Sequence, residues 1–535
     1  EQIPIRPNTD TALMLALAYI LIKNNTYDKK FIVKYTVGFD SFSEYVLGNK
    51  NNQECSPEWA SKITNIPVKK IYELADQIIS KKTMISLSWS LQRASSGEQP
   101  LWMGITLAAM LGHIGTASGG FGFGYSSVNS TGDSFNRMSW QSLPQGKNKI
   151  RDFIPVARVT DMLENPGDKF DYDGKKLTYP DIKLIYWAGG NPFHHHQDLN
   201  RLVKAWQKPN TIIVNEIWWN SQARHADIIF PANTALERND LMLNPRDPTL
   251  IANKKAMESF HNSKTDYEIF SGLAKELGFL EAFTENKDEL DWIKFIWDSS
   301  SKAHQRKDIS FPKFEDFWEK GFFELPKPET EKVMLNDFRR DPNKFPLNTP
   351  SGKIEISSVT IANFELTDCF SHPYWFEPYE WLGNVNKYPL HLISNQPKHR
   401  LHGQLDNASG SLDNKINGKE PVMINSLDAS NRDIENGDIV MLYNARGKVL
   451  AGANISDNVM PGVVVLSTGA WFDPDYDLEL EKHGNPNVLT KDVGTSSLSQ
   501  GPTCHTTLVE LRKANKKEIS EVSIFKSPEM LSKRS

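Results

Sequence analysis

Cysteine is scarce: Cys55, Cys369 and Cys504 are the three in 535 residues. They lie far apart and form no C-x-x-C pair, which excludes a disulfide framework and an iron–sulfur cluster ligated by cysteines of this chain alone. Any electrons the protein uses therefore arrive from elsewhere. Long apolar runs are missing as well, since the longest, Ala12 to Ile22, is too short to cross a bilayer. Neither sign of charge dominates: 61 Lys and Arg against 66 Asp and Glu leave a net charge of −5, with no electrostatic footprint for nucleic acid. The first residue is Glu1 rather than Met, with no signal peptide before a helical pattern begins, so the chain reads as a fragment or a processed product.

What is present suits a soluble protein that handles a small molecule. Hydrophobic residues make up 39% and charged residues 24%, ordinary for globular domains, and the length leaves room for three or four of them. The most informative stretch runs from Ile182 to Asp240. A strand-like run, Lys183-Leu-Ile-Tyr-Trp-Ala-Gly-Gly-Asn191-Pro192, breaks on two glycines and leads into His194-His-His-Gln197-Asp198. Thr211-Ile-Ile-Val-Asn215-Glu216 follows, then His225-Ala-Asp227-Ile-Ile-Phe-Pro231. Strand, glycine break, helix, strand is the grammar of a parallel α/β sheet, whose ligands bind beyond the carboxyl ends of the strands.

Asp10, ahead of Thr-Ala-Leu-Met-Leu-Ala-Leu-Ala, predicts an N-capped buried helix. Pro67 to Lys82 places Ile71, Leu74, Ala75, Ile78 and Ile79 at helical spacing and leads into a strand at Thr83 to Trp89; Gln99 to Gly112 is a further apolar helix. Residues 1–180 thus read as one α/β domain and 181–280 as an α/β dinucleotide-binding domain. From Glu281 to Tyr388 the sequence is aromatic, charged and proline-containing without a clean period, an irregular α+β region. Beyond Pro389, short strands such as His391-Leu-Ile-Ser, Pro421-Val-Met-Ile, Gly437 to Tyr443, Lys448-Val-Leu-Ala and Pro461 to Leu466 alternate with Gly, Asn and Asp turns and predict a β-barrel across 389–511. Residues 512–535, rich in Lys, Glu and Ser, read as a disordered tail.

The segment Ala429-Ser-Asn-Arg-Asp433-Ile434-Glu-Asn-Gly437-Asp438-Ile-Val-Met-Leu-Tyr-Asn444-Ala-Arg-Gly447, continuing to Ala453-Asn-Ile-Ser456, resembles the C-terminal signature of prokaryotic molybdopterin oxidoreductases. Trp187-Ala-Gly-Gly-Asn-Pro-Phe-His-His-His-Gln-Asp, Trp89-Ser-Leu-Gln-Arg93 and Ser394-Asn-Gln-Pro-Lys-His-Arg400-Leu-His402 resemble the branch that reduces sulfoxides and amine N-oxides. The resemblance spans residues 1 to about 511 in order. It implies an α/β multidomain fold with parallel-sheet nucleotide-binding domains and a six-stranded, double-psi type barrel. It also implies bis(molybdopterin guanine dinucleotide) with molybdenum, the metal held in this branch by a serine upstream of Glu1. No metal ligand is assigned in this chain, and the catalytic residues are expected upstream as well.

A guanine dinucleotide asks for open backbone N–H groups near helix starts, ribose acceptors and a carboxylate for the guanine edge. By resemblance, Gly190 and Asn191 contact the cofactor, an ordinary strand-to-helix turn being the alternative, and His195 lies beside it in the triplet His194–His196. Consecutive histidines cannot all face one ion on a regular element, so the triplet is not read as a metal site. Asn215 and Glu216 end the next strand where ribose hydroxyls are expected, or cap a helix. Arg238 matches a cationic position facing the cofactor, or forms a surface ion pair; Asp266 could accept from guanine, or cap the helix Tyr267 to Leu277. Ser88 and Gln92 match the family's first contact loop. Ser394, Asn395, Gln396, Arg400 and His402 match the loop that touches both pterins, and Trp471, Asn487 and Gln500 match further contacts, with core or turn roles as alternatives. The run Gly119 to Gly124 follows a helix rather than a strand, which fails the context of a NAD fingerprint; it reads as a flexible loop near the funnel to the metal.

The resemblance implies oxygen-atom transfer, in which an S-oxide or N-oxide (trimethylamine N-oxide, or biotin, methionine or dimethyl sulfoxide) becomes sulfide or amine plus water. Its partners would be that small molecule and an external electron donor, such as a c-type cytochrome or quinol-linked protein, with the periplasm as compartment. The chain alone is expected to be inactive. A formate dehydrogenase or nitrate reductase type enzyme, or a non-catalytic scaffold of the same fold, stands as the alternative.

Overall fold

A computed structural model describes residues 1–124, 140–151, 153–243, 248–305, 309–327, 331, 333–385 and 387–528. Helix α1 (Asp10–Lys23) is apolar on every side, and from Thr11 to Leu21 only Leu13 is more than marginally open. Its cap position is Thr9, and Asp10 lies in the first turn near the positive end of the helix dipole, one place later than expected. Helix α2 (Val68–Ser80) buries Ile71, Ala75 and Ile78. Strand β1 (Met84–Leu87), helix α3 (Glu98–Met110) and strand β2 (Gly120–Phe123) form a βαβ unit, with β1 and β2 parallel and Ile85 opposite Phe121. The glycine-rich run expected to be a flexible loop is therefore a strand. Gly104 of α3 lets the helix approach this sheet, because a Cβ there would lie 2.5 Å from Leu87 and 3.1 Å from Phe121.

The stretch that opens at Ile182 folds as its pattern predicts. Strands β3 (Leu184–Ala188), β4 (Thr211–Glu216) and β5 (Ile228–Pro231) are parallel and lie in that order, with helix α4 (Leu199–Trp206) between β3 and β4. Leu199, Leu202, Val203, Ala205 and Trp206 form the buried face of α4. Helix α5 (Asp266–Glu276) follows, started by a capping box in which Thr265 and Glu268 satisfy each other's backbone N–H. The region read as irregular contains the 17-residue helix α6 (Glu289–Gln305). Its buried stripe combines Trp292, Ile293 and Trp297 with Ser300 and His304, and those two polar residues mask the helical period.

The barrel closes with six strands: β6 (Leu390–Ile393), β7 (Pro421–Ile424), β8 (Ile439–Tyr443), β9 (Lys448–Ile455), β10 (Val463–Leu466) and β11 (Leu508–Lys513). The ring runs β7, β10, β6, β11, β8, β9 and back to β7; β6–β10 and β7–β9 pair in parallel, the rest antiparallel. Val422, Ile424, Val440, Leu442, Val449, Ala451, Val464 and Leu466 are fully buried inside it. Strand β11, which none of the five short runs announced, carries the chain past residue 511. Of the expected disordered tail, residues up to Lys526 are pinned down: Arg512 pairs with Glu518 at 2.6 Å, Ser523 and Ile524 donate their N–H groups to Asp473, Ile524 is buried, and the Lys526 carbonyl accepts from Arg224; 529–535 lie outside the described residues. Composition could not show this, because the anchor Asp473 lies far back in the sequence.

One apolar cluster runs without interruption from Phe193, Leu202, Trp206 and Val214 into the barrel residues Leu392, Val440 and Val509. The end of β3 is thereby held against the barrel.

Candidate cofactor site

Strand β3 ends at Ala188, and Gly189 and Gly190 turn the chain with φ of +78° and +75°. L side chains rarely adopt that region, so glycine is required here. A Cβ on Gly189 would meet nothing within 4 Å, and one on Gly190 only the Trp187 Nε1 at 3.7 Å. The backbone of this turn is open to an approaching group. Asn191 then caps the short helix Pro192–His195, its Oδ1 accepting from Phe193 N at 3.0 Å while its amide lies 3.3 Å from His194 Nε2. Its side chain is thus spent on the turn, and what it can present outward is backbone.

The three histidines diverge, as consecutive residues must. Phe193 and His194 point into the molecule: the Phe193 ring stacks on His225 at 4.3 Å, and the His194 ring lies parallel to Trp471 at 6.1 Å. His196 meets Thr160 at 2.6 Å and Asp492 at 2.9 Å. His195 is exposed and lies in the charge field of Arg93 and His402, two residues from separate parts of the chain. Crowding by the surrounding protein, although the side chain keeps an open edge, together with the nearby charges of His196, Arg93 and His402, lowers its imidazole to about 4. Arg93 closes the motif Trp89–Arg93, and only the fold brings it near His195.

Facing this turn, the loop after β6 folds on itself. Gln396 bonds the His402 ring at 2.8 Å and Arg400 donates to the His402 carbonyl at 3.1 Å. Asn395 accepts from Ser467 at 2.9 Å, while Ser394 is buried at the strand end. Trp471 donates through Nε1 to the Gly403 carbonyl at 2.6 Å, and Asn487 donates to the His194 carbonyl at 3.3 Å. Both are buried: Trp471 joins the loop to the turn, and Asn487 ties the His194 carbonyl to the Asn485–Thr490 segment, arrangements that match the core and turn roles left as alternatives for them. Ser88 caps the 3₁₀ turn Trp89–Arg93, and Gln92 lies half-buried in it. Gln500 faces elsewhere, donating to the Asp171 carbonyl at 2.8 Å.

A second group lies at the end of β4. Tyr186 donates to Asn215 Oδ1 at 2.8 Å, and Asn215 donates to the exposed Asp266 carboxylate at 2.8 Å. Asp266 is not the helix cap, a place that Thr265 takes. Glu216 accepts from Ile217 N at 2.9 Å, and burial raises its carboxyl above the usual range. Arg238 forms an exposed ion pair with Asp240 at 3.4 Å, the alternative its sequence left open. Among the described residues, no cluster of three or more His, Cys, Asp or Glu is arranged to hold a metal ion.

The sequence profile described as molybdopterin oxidoreductase matches residues 1–276, and that of the molydopterin dinucleotide binding domain matches residues 390–508. This chain belongs to the molybdopterin oxidoreductase family. Among its relatives, biotin sulfoxide reductase of Cereibacter sphaeroides is 45% identical over 509 residues, covering 95% of this chain and 68% of that protein. The dimethyl sulfoxide/trimethylamine N-oxide reductase of the same organism is 42% identical, covering 98% of this chain and 66% of the relative. Trimethylamine-N-oxide reductase of Haemophilus influenzae is 42% identical, covering 99% and 67%. The chain spans about two thirds of the length of these relatives. Acetylene hydratase from Pelobacter acetylenicus, 14% identical, has the same fold with a TM-score of 0.68 over 96% of this chain and 71% of its own.

The residues in place fit a molybdopterin dinucleotide. The glycine backbone at 189–190 leaves room for a phosphate, Arg93 and His402 lie within electrostatic reach of His195, and the Asn215–Asp266 pair offers a carboxylate at a strand end.

Proposed function

We propose that this chain forms most of the binding surface for bis(molybdopterin guanine dinucleotide) in a molybdenum-dependent reductase of S-oxides or N-oxides. One observation carries the reading: relatives named for biotin sulfoxide, dimethyl sulfoxide and trimethylamine N-oxide match 95% or more of the chain at 42–45% identity. The bound group supplies two-electron oxygen-atom chemistry, and the chain's residues bind it, orient it and set its electrostatic surroundings. In this reading the turn at Gly189–Asn191 receives a phosphate on backbone N–H groups, Asp266 faces the guanine edge, and Arg93, His195 and His402 line the pterin side. The parallel strands β3–β5 form the nucleotide-binding domain, at the carboxyl ends where such sheets take ligands. The site residues named from the sequence, the domain limits, a periplasmic location and a c-type cytochrome or quinol-linked donor belong to the same proposal.

The test is expression from the complete coding sequence, followed by assay of molybdenum, guanine nucleotide and reduced-viologen oxidation with trimethylamine N-oxide and with dimethyl, methionine and biotin sulfoxides. Stoichiometric molybdenum and guanine with turnover of at least one oxide is the expected result. Bound molybdenum without turnover of any of the four would remove the substrate class, and absence of both molybdenum and guanine would remove the cofactor reading itself.

A further inference from the structure

Beneath the His402 loop lies a closed ring of four buried charges. Lys415 Nζ is 2.9 Å from both Asp406 Oδ1 and Glu420 Oε2. Arg400 reaches the same two carboxylates, at 3.4 Å to Asp406 and 3.1 Å to Glu420. The four side chains are at most 5% exposed. Two cations and two anions taken out of water together make a poor stabilising device, since desolvation offsets much of the Coulomb attraction. An ionic ring is, however, a strict one: each member fixes the direction of the next.

The connections of the ring show what it holds. Arg400 donates to the carbonyls of His402 at 3.1 Å and Thr468 at 3.2 Å. Thr468 donates through its hydroxyl to the His194 carbonyl at 3.3 Å and through its N–H to the Asn395 carbonyl at 2.9 Å. Asp406 accepts from Ser411 at 2.7 Å and, on its other oxygen, from Trp471 N at 3.0 Å. Trp471 in turn carries the His194 ring on its face and donates to Gly403. Both segments assigned above to the cofactor are therefore reached from one carboxylate within two or three contacts.

We propose that Asp406, with Lys415, Glu420 and Arg400, is a positioning centre that sets the Ser394–His402 loop and the Gly190–His195 turn at a fixed separation for the dinucleotide. The proposal rests on the reading of those two segments as cofactor contacts. Asp406, Lys415 and Glu420 have no direct cofactor contact in this proposal; they act by fixing Arg400 and, through it and Thr468, the carbonyls of His402, Asn395 and His194.

The experiment measures release of guanine nucleotide and molybdenum from holoenzyme made from the complete coding sequence, at a temperature where near-ultraviolet circular dichroism shows every variant folded. Asp406→Asn and Lys415→Met are expected to release the group about tenfold to a hundredfold faster than the unsubstituted enzyme, the scale on which outer partners tune a bound site. Lys415→Arg, which keeps the charge, restores slow release, an outcome that loss of packing alone would not produce. Ser411→Ala removes one hydroxyl and no charge, so it tests the ring even if the charge variants fail to fold; faster release with an unchanged melting temperature is the expected result. Release rates equal to the unsubstituted enzyme in Ser411→Ala and in every folded charge variant would overturn the positioning role while leaving the cofactor reading intact. An unsubstituted enzyme that holds neither guanine nor molybdenum would overturn both.

Discussion

At the turn after β3, Asn191 accepts from Phe193, two residues on, and His194 lies beside it; across the site, Asp406 gathers Arg400, Ser411 and Lys415 from its own loop and Trp471 from 65 residues on. The first side is complete within a few residues, whereas the second is a charged loop closed from a distance by Trp471. A cap hydrogen bond forms wherever its short segment adopts the right dihedrals, whereas a buried carboxylate needs its cations delivered before it can leave water. The turn therefore has its shape locally but not its place. Its place comes from Phe193, whose ring is fully buried in the cluster shared with the barrel.

That contrast ranks the expected effects. Phe193→Ala opens a cavity in the shared cluster and should cost about 3–5 kcal/mol in urea unfolding. The comparison breaks if the loss is no larger than that of the cap variant below.

The next effect is one of pH. Burial, partly offset by Asp406, pushes the His194 imidazole down to about 3, below its ordinary value of 6.5. Below pH 6.5 the unfolded chain takes a proton that the folded chain refuses, so this residue's share of stability falls as pH falls. The slope from it is about 1.4 kcal/mol per pH unit, or roughly 2 kcal/mol between pH 6.5 and 5. His194→Asn should flatten the fall by that amount in urea titrations at the two pH values; an unchanged slope would mean that the ring is not held neutral between the turn and the barrel.

Asn191→Ala should cost about 1 kcal/mol, the usual worth of an N-cap. A loss above that of Phe193→Ala would show that the turn carries the interface rather than the reverse. The smallest effect is expected at Arg238→Ala, about 0–1 kcal/mol, because its ion pair with Asp240 is open to solvent. Thermal melting at low and at 0.5 M salt measures it, and the expected difference shrinks with salt.

The local half of the site was legible in the chain. Two glycines after an alternating-to-apolar run announced the turn, and short apolar runs between Gly and Asn turns announced five barrel strands. Thr265 displaced Asp266 as the cap of α5, and Thr9 displaced Asp10 at α1, because neighbouring short polar residues compete for one position and dihedral angles choose between them. Helix α6 was hidden because Ser300 and His304 complete its buried face. Strand β11 was missed because a single apolar run at the end of a domain has no local sign of the edge it will pair with.

Residue types and periods, acting over a few positions, determined the helices, the parallel strands, the glycine turn and the family signature. The tertiary structure alone decided that Arg93 and His402 come within electrostatic reach of His195, that Asn215 bonds Asp266, that the chain beyond residue 511 is pinned to Asp473, and that Asp406 meets Trp471. Those are pairings between distant segments: loop closure costs nearly the same for many alternative partners, so only the burial gained by the whole fold selects among them.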